Sequence, residues 1–303
     1  MDGEGKLKNW IIVSQPWAFP ASGSAALMAI SYVFYLYNIG AVAESNWLFG
    51  IIGLLGAIIF QMSGNLMNEY QDFIHGVDVK VKNGPPKLLV EGVFKPKTIL
   101  RYSISVLLVG IAIGIYLTLN TGWPLIIIGC FGVISATMYH KFKYIALGDL
   151  LIFVTYGLSI PLGVAFVMTG ELIWTILLVS IPVGLLEVAI LHANNTRDIK
   201  EDKEAGIKTQ AMILGLEGAQ VTYQTLLLAS YLLIAILVSV ELLHPITFLT
   251  LISFPLANRN IKTMKMAQHN DFAPIQSLDS KTAKLLLLFV FLLSAANFVA
   301  PFI

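Results

Sequence analysis

Residues 98–119 read Thr98-Ile99-Leu100-Arg101-Tyr102-Ser103-Ile104-Ser105-Val106-Leu107-Leu108-Val109-Gly110-Ile111-Ala112-Ile113-Gly114-Ile115-Tyr116-Leu117-Thr118-Leu119, a run with a single charge, Arg101, near its start. Roughly 20 mostly apolar residues are enough for a helix to cross the hydrocarbon core of a bilayer. The run therefore predicts a transmembrane helix. Working outward from it, comparable stretches lie near 18–37, 48–66, 123–139, 149–168, 172–192, 219–240, 243–257 and 284–302. Hydrophobic residues make up 57% of the chain and charged residues only 12%, where a soluble domain carries about a quarter. Most of the surface must face something other than water. The expectation is an all-α integral membrane bundle of about nine transmembrane helices, one membrane domain over 1–303, with cap loops at about 68–97 and 193–218. No small-residue cleavage pattern follows the first stretch, and only Lys6 and Lys8 precede it, so no cleavable signal peptide is expected.

The basic residues orient the bundle. Lys6 and Lys8 precede the first span. Lys80, Lys82, Lys87, Lys95, Lys97 and Arg101 lie between the second and third, and Lys141 and Lys143 between the fourth and fifth. Arg197, Lys200, Lys203 and Lys208 lie between the sixth and seventh, and Arg259, Lys262, Lys265, Lys281 and Lys284 before the ninth. The alternate loops contain none, so all 19 fall on one side, which the positive-inside rule makes cytoplasmic. Trp47, Trp123 and Trp174 open spans on the other side, at the level where Trp anchors to headgroups. Trp10 and Trp17 suggest a short interfacial helix before the first span. A net charge of +1 offers no field for a nucleic-acid partner. The lone Cys130 excludes an internal disulfide and a cysteine metal site, and reads as a small apolar filler. Pro161, Pro182 and Pro255 suggest kinks inside spans.

Two polar segments close the second and sixth spans. Asn68-x-x-x-Asp72 and Asn194-x-x-x-Asp198 repeat at an offset of 126 and in the same orientation. This points to two related four-helix halves plus a ninth helix. Residues four apart share a helix face, so Asn68 pairs with Asp72, and Asn194 with Asp198 and Asp202. Like carboxylates at that spacing repel unless a cation lies between them. Hard oxygen ligands without thiols suit Mg²⁺ or Mn²⁺. Opposed clusters could hold two ions with a diphosphate between them, and nearby Lys and Arg could neutralise the rest. Beside an apolar bundle, that points to a lipid diphosphate. His75, His140 and His192 are dispersed and are not expected to ligate metal.

The run Asn68-Glu69-Tyr70-Gln71-Asp72-Phe73-Ile74-His75-Gly76-Val77-Asp78 resembles the first motif of the UbiA superfamily of intramembrane prenyltransferases. Glu69 replaces the usual Asp, and Gly76 stands where the last Asp would be, with Asp78 two residues on. That form resembles the menaquinone branch, which acts on 1,4-dihydroxy-2-naphthoate or a related naphthoquinol. Asp198 and Asp202, within His192-Ala193-Asn194-Asn195-Thr196-Arg197-Asp198, resemble the second motif. Gly84-Pro85-Pro86-Lys87, Lys143–Leu150 and Glu204–Lys208 extend the likeness. Gln15-Pro16 departs from the family, which often has a basic residue there.

The resemblance implies Mg²⁺-dependent transfer of a polyprenyl group from its diphosphate to an aromatic, quinone-precursor acceptor at the cytoplasmic face of the cell membrane. It implies Asn68, Asp72, Asp198 and Asp202 as metal ligands, direct or through water, supported by Asp78 and Asn194. Lys87, Lys143 and Arg197 are candidates for diphosphate contact, and Tyr139 for contact with the allylic cation or the acceptor. Alternatives are the same chemistry on geranylgeranylglyceryl phosphate or a hydroxybenzoate and, more remotely, a secondary transporter, whose site would lie nearer the midplane.

Overall fold

The computed structural model describes residues 3–77, 87–269 and 271–303. Asp78 and the Gly84-Pro85-Pro86 run lie outside them. Helix α1 (Gly3–Val13) is followed by α2 (Pro20–Asn38), α3 (Trp47–Ile74), α4 (Pro96–Thr121) and α5 (Pro124–Tyr144). Next come α6 (Gly148–Ile152), a π-helical segment Phe153–Ser159 and α7 (Ile160–Thr169) in one continuous helix, then α8 (Thr175–Val179), α9 (Ile181–Arg197) and α10 (Ile199–Glu204). Helix α11 (Gln210–Ser239), a 3₁₀ segment Pro245–Ser253, α12 (Phe254–Met264) and α13 (Leu278–Val299) complete the chain. No strand occurs among the described residues.

Local chemistry explains the helix starts. Pro20, Pro96 and Pro124 occupy the first turns of α2, α4 and α5, where proline's fixed φ suits a helix and its missing N–H is not needed. The Asn46 side chain accepts from Phe49 N at 3.1 Å and caps α3. Pro161, Pro182 and Pro255 also sit in first turns, of α7, α9 and α12. Pro161 lies inside one continuous span, where the π-helical segment passes into α7, whereas Pro182 follows the break at Ser180 and Pro255 follows the change from 3₁₀ to α.

Among the described residues, seven helices are long and apolar enough to cross a membrane: Pro16–Asn38, Trp47–Ile74, Pro96–Thr121, Pro124–Tyr144, Gly148–Thr169, Gln210–Ser239 and Ala273–Phe302. The other two expected spans are broken. Stretch 172–192 divides into α8 and α9 at Ser180. Stretch 243–257 is largely 3₁₀, and its hydroxyls explain why. Thr247, Thr250 and Ser253 donate to the carbonyls of His244, Thr250's predecessor Thr247, and Thr250 at 2.8, 2.8 and 2.6 Å. This three-residue period matches three residues per turn.

The helices pack unequally. A continuous core joins α2, α7, α9, α11 and α13 through Met28, Tyr32, Met168, Leu186, Tyr223 and Phe289. Tyr223 OH–Thr282 Oγ1 (2.6 Å) and Asn297 Nδ2→Ser31 Oγ (3.2 Å) add interhelical bonds there. In a bilayer such bonds average about 0.6 kcal/mol each. Helix α5, by contrast, buries only Leu125, Ala136 and His140. Reciprocal bonds between Ser63 and Ser103 tie α3 to α4. At the charged end, α1 lays Trp10 on Phe94 and Tyr102, ring centroids 4.7 and 5.0 Å away.

Candidate active site

The looser packing of α3, α4 and α5 leaves a cavity of about 1290 Å³ bounded also by α2, the π-helical segment, α7, α9 and α13. Its wall is mostly apolar, with Gly56, Phe60, Ile113 and Val133 among its residues. Cys130 lies on this wall and is exposed, so it is not the packed filler expected of it. Asn68, Asn194 and Tyr139 also line the cavity.

Both acidic segments lie at the C-terminal ends of helices, Asp72 on α3 and Asp198 after α9. Asp72 is 2% exposed. Its Oδ2 accepts from Asn68 Nδ2 at 2.9 Å and lies 3.6 Å from Lys143 Nζ; its Oδ1 accepts from Tyr144 OH at 3.1 Å. Asp202, on α10, is also buried. Burial pushes its carboxyl up to about 6, against the pull of Lys143 and with added repulsion from Asp198, Asp72 and Glu201. The two segments are thus close enough to feel each other's charge, and Lys143 reaches both. A backbone bridge from Ile145 to Lys208 ties the end of α5 to the segment after α10.

Arg197, the candidate for diphosphate contact, is engaged by two carboxylates. Its Nε and Nη2 donate to the two Asp198 oxygens at 2.6 and 2.7 Å, and Nη1 donates to Asp279 at 2.8 Å and to the Gln276 carbonyl at 3.3 Å. Nη2 also donates to Asn194 Oδ1. Burial works against its charge, but Asp198 and Asp279 outweigh it and hold the guanidinium above its ordinary value. With all three nitrogens engaged, Arg197 braces Asp198 and links α9 to α13. Lys87 lies 3.6 Å from Glu69, which also accepts from Gln15 Nε2 at 3.4 Å. Glu69 stands on α3 three residues before Asp72, on the same helical face.

The histidines are not all dispersed. His75 and His140 stack with centroids 6.3 Å apart, and Tyr144 meets both edge-on. His192 Nδ1 lies 2.9 Å from Asp149 and Nε2 lies 3.1 Å from the Ala219 carbonyl. Sequence reading missed Tyr144, Asp279, Asp149 and Glu187. Tyr144 and Asp149 stood within a quoted motif, and nothing local marked Asp279 or Glu187.

A family model described as the UbiA prenyltransferase family matches residues 26–270. UbiA prenyltransferase domain-containing protein 1 of Mus musculus is 31% identical over 295 residues, covering 93% of this chain and 82% of that protein. The 1,4-dihydroxy-2-naphthoate octaprenyltransferase of Bacillus subtilis (strain 168) is 30% identical over 254 residues, 82% of this chain and 81% of the relative. Among solved structures, the apo form of a UbiA homologue from Aeropyrum pernix K1 superposes with TM-score 0.69 at 17% identity, covering 91% of this chain and 97% of that one. A UbiA homologue from Archaeoglobus fulgidus bound to DMAPP and Mg²⁺ gives 0.58 at 15% identity, covering 94% and 99%. The two structures show the shared fold.

Proposed function

We propose that this chain, which belongs to the UbiA prenyltransferase family, is a multi-pass membrane enzyme that moves a polyprenyl group from its diphosphate to an aromatic acceptor of the naphthoate or naphthoquinol class. The observation that carries the reading is a mouth of converging carboxylates and Lys143 over a large apolar cavity. The naphthoate octaprenyltransferase of Bacillus subtilis supports the acceptor class. The single-sided distribution of Lys and Arg supports a cytoplasmic active face in the cell membrane.

The residues at the mouth fit a divalent cation and a diphosphate. Asn68 Oδ1 is buried with no hydrogen-bond partner, and so is Asn65 Nδ2; both residues line the cavity. One offers an oxygen to a hard cation, the other an N–H to a phosphate. Among the described residues no three His, Cys, Asp or Glu side chains converge on one metal position. Mg²⁺ does not require that, because it usually takes one or two carboxylates and completes its shell with water and phosphate. Asn68, Asp72, Asp198 and Asp202 would hold it, with Asp78 and Asn194 in support, and it would neutralise the departing diphosphate. Lys143 and Lys87 add positive charge for the same anion. Arg197 keeps Asp198 oriented. As the bond from the prenyl carbon to the diphosphate oxygen breaks, the apolar wall excludes water from the allylic cation, and Tyr139 presents an aromatic face to it.

Purified protein given a polyprenyl diphosphate, Mg²⁺ and a mixture of naphthoate, hydroxybenzoate and glyceryl-phosphate acceptors should yield a prenylated naphthoquinol by mass spectrometry. Asp72→Asn and Asp198→Ala should each lower transfer by about a hundredfold or more, and EDTA should stop it until Mg²⁺ is restored. Full turnover in a folded Asp198→Ala protein, or indifference to EDTA, would overturn the metal assignment. A glyceryl-phosphate product alone would overturn the acceptor class.

A further inference from the structure

Glu187 lies on α9 eleven residues before Asp198, which at 1.5 Å per residue is roughly 16 Å below the acidic mouth. It lines the cavity and is 3% exposed. Among the described residues its carboxyl makes no hydrogen bond and no ion pair, and Oε1 is enclosed without a partner. Burying such a group costs folding free energy that no protein contact offsets.

The position is built into the helix crossing. A Cβ placed on Gly184 would lie 2.6 Å from the Gly157 Cα, so α9 and the π-helical segment touch backbone to backbone. Glu187 stands three residues after Gly184, and Tyr156 immediately before Gly157. Tyr156 lies within electrostatic reach of both Glu187 and Tyr139. On the same side, Ser135 Oγ and Thr155 Oγ1 are hydrogen-bonded at 2.9 Å, and both residues line the cavity. The cavity is therefore two-natured. Polar groups descend from Tyr139 through Tyr156 to Glu187, whereas α3 and α4 contribute Gly53, Gly56, Phe60, Gly110 and Ile113. A prenyl tail has no hydrogen-bonding group and suits the apolar part alone. The polar part asks for a second molecule with a hydroxyl.

We propose that Glu187 is the hydrogen-bonding partner of a phenolic hydroxyl on the acceptor, and that the Tyr139–Tyr156–Glu187 stripe selects the acceptor ring. The inference rests on the aromatic-acceptor reading above and extends it to named residues. An enclosed carboxyl with no partner in the protein pairs readily with a phenol. The depth leaves room for a diphosphate at the mouth and a bicyclic ring between it and Glu187.

The test uses the full chain, with farnesyl diphosphate, Mg²⁺ and 1,4-dihydroxy-2-naphthoate. Competitive inhibition by 1-hydroxy-2-naphthoate and 4-hydroxy-2-naphthoate, each lacking one hydroxyl, is measured for wild type and Glu187→Leu. In wild type, one analogue should bind about tenfold more weakly than the diol. Glu187→Leu should raise the acceptor KM about tenfold, leave the donor KM within about twofold, and bind that analogue and the diol alike. A merely structural role would not erase the preference for one hydroxyl. An unchanged acceptor KM in Glu187→Leu, or a preference that survives in it, overturns the proposal. So does wild type that binds both analogues as tightly as the diol, even where the variant does not fold. These results leave the aromatic-acceptor reading standing. Wild type that prenylates no phenolic acceptor removes both.

Discussion

Asp202 shows how a single carboxyl at the mouth links chemistry to pH. Its ordinary value lies near 3.8, and burial raises it to about 6. The folded protein therefore binds this proton more tightly than the unfolded chain. The linked contribution favours folding at acid pH and is lost as pH climbs from about 4 through 6. Function runs the other way, because the proton must leave before a cation can be held. Activity at low Mg²⁺ should rise across pH 5 to 7 with a midpoint near 6, and the midpoint should fall as Mg²⁺ competes with the proton. A profile flat over that range at low Mg²⁺ would remove Asp202 from the ligand set. Arg197 teaches a related lesson. The basic residue beside a metal motif is read most simply as a phosphate contact, yet here Asp198 and Asp279 engage it from two sides.

At the scale of elements, the crossing of α9 with the π-helical segment places the polar stripe. Small residues let membrane helices approach closely, and Gly157 and Gly184 do so within what would be Cβ distance. Gly184→Ala would place its methyl 2.6 Å from the Gly157 Cα and 3.2 Å from the Phe153 ring. The helices must separate, at about 1–3 kcal/mol, and Tyr156 must move away from Glu187. We expect a lower melting temperature in detergent and weaker acceptor use. Gly132→Ala, with nothing within 4 Å of its Cβ, is the matched control and should be near neutral. Equal stability of the two variants would show that the crossing can relax. The 3₁₀ segment Pro245–Ser253 makes the opposite point, since there side-chain hydroxyls at a three-residue spacing set the backbone.

Over the whole molecule, a tight half built on α2, α7, α9, α11 and α13 supports a looser wall of α3, α4 and α5, and the cavity lies between. Cys130, the only cysteine in the chain, reports on that cavity. A maleimide should label it, and a polyprenyl diphosphate with Mg²⁺ should slow labelling several-fold. Labelling unaffected by a saturating donor would place the tail elsewhere. Much of this plan is legible in the chain. Hydropathy sums along consecutive residues, so the membrane class, the helical elements and the one-sided charge follow from local composition. The motif acids are visible too, because their four-residue spacing is a property of one helix. The break of two expected spans into shorter helices escaped this reading, because hydropathy does not report where backbone bonding changes. So did the engagement of Arg197 and the placing of Glu187 within electrostatic reach of Tyr156. Those depend on how far each helix is turned about its axis and shifted against its neighbours, which is set by packing between residues distant in the chain.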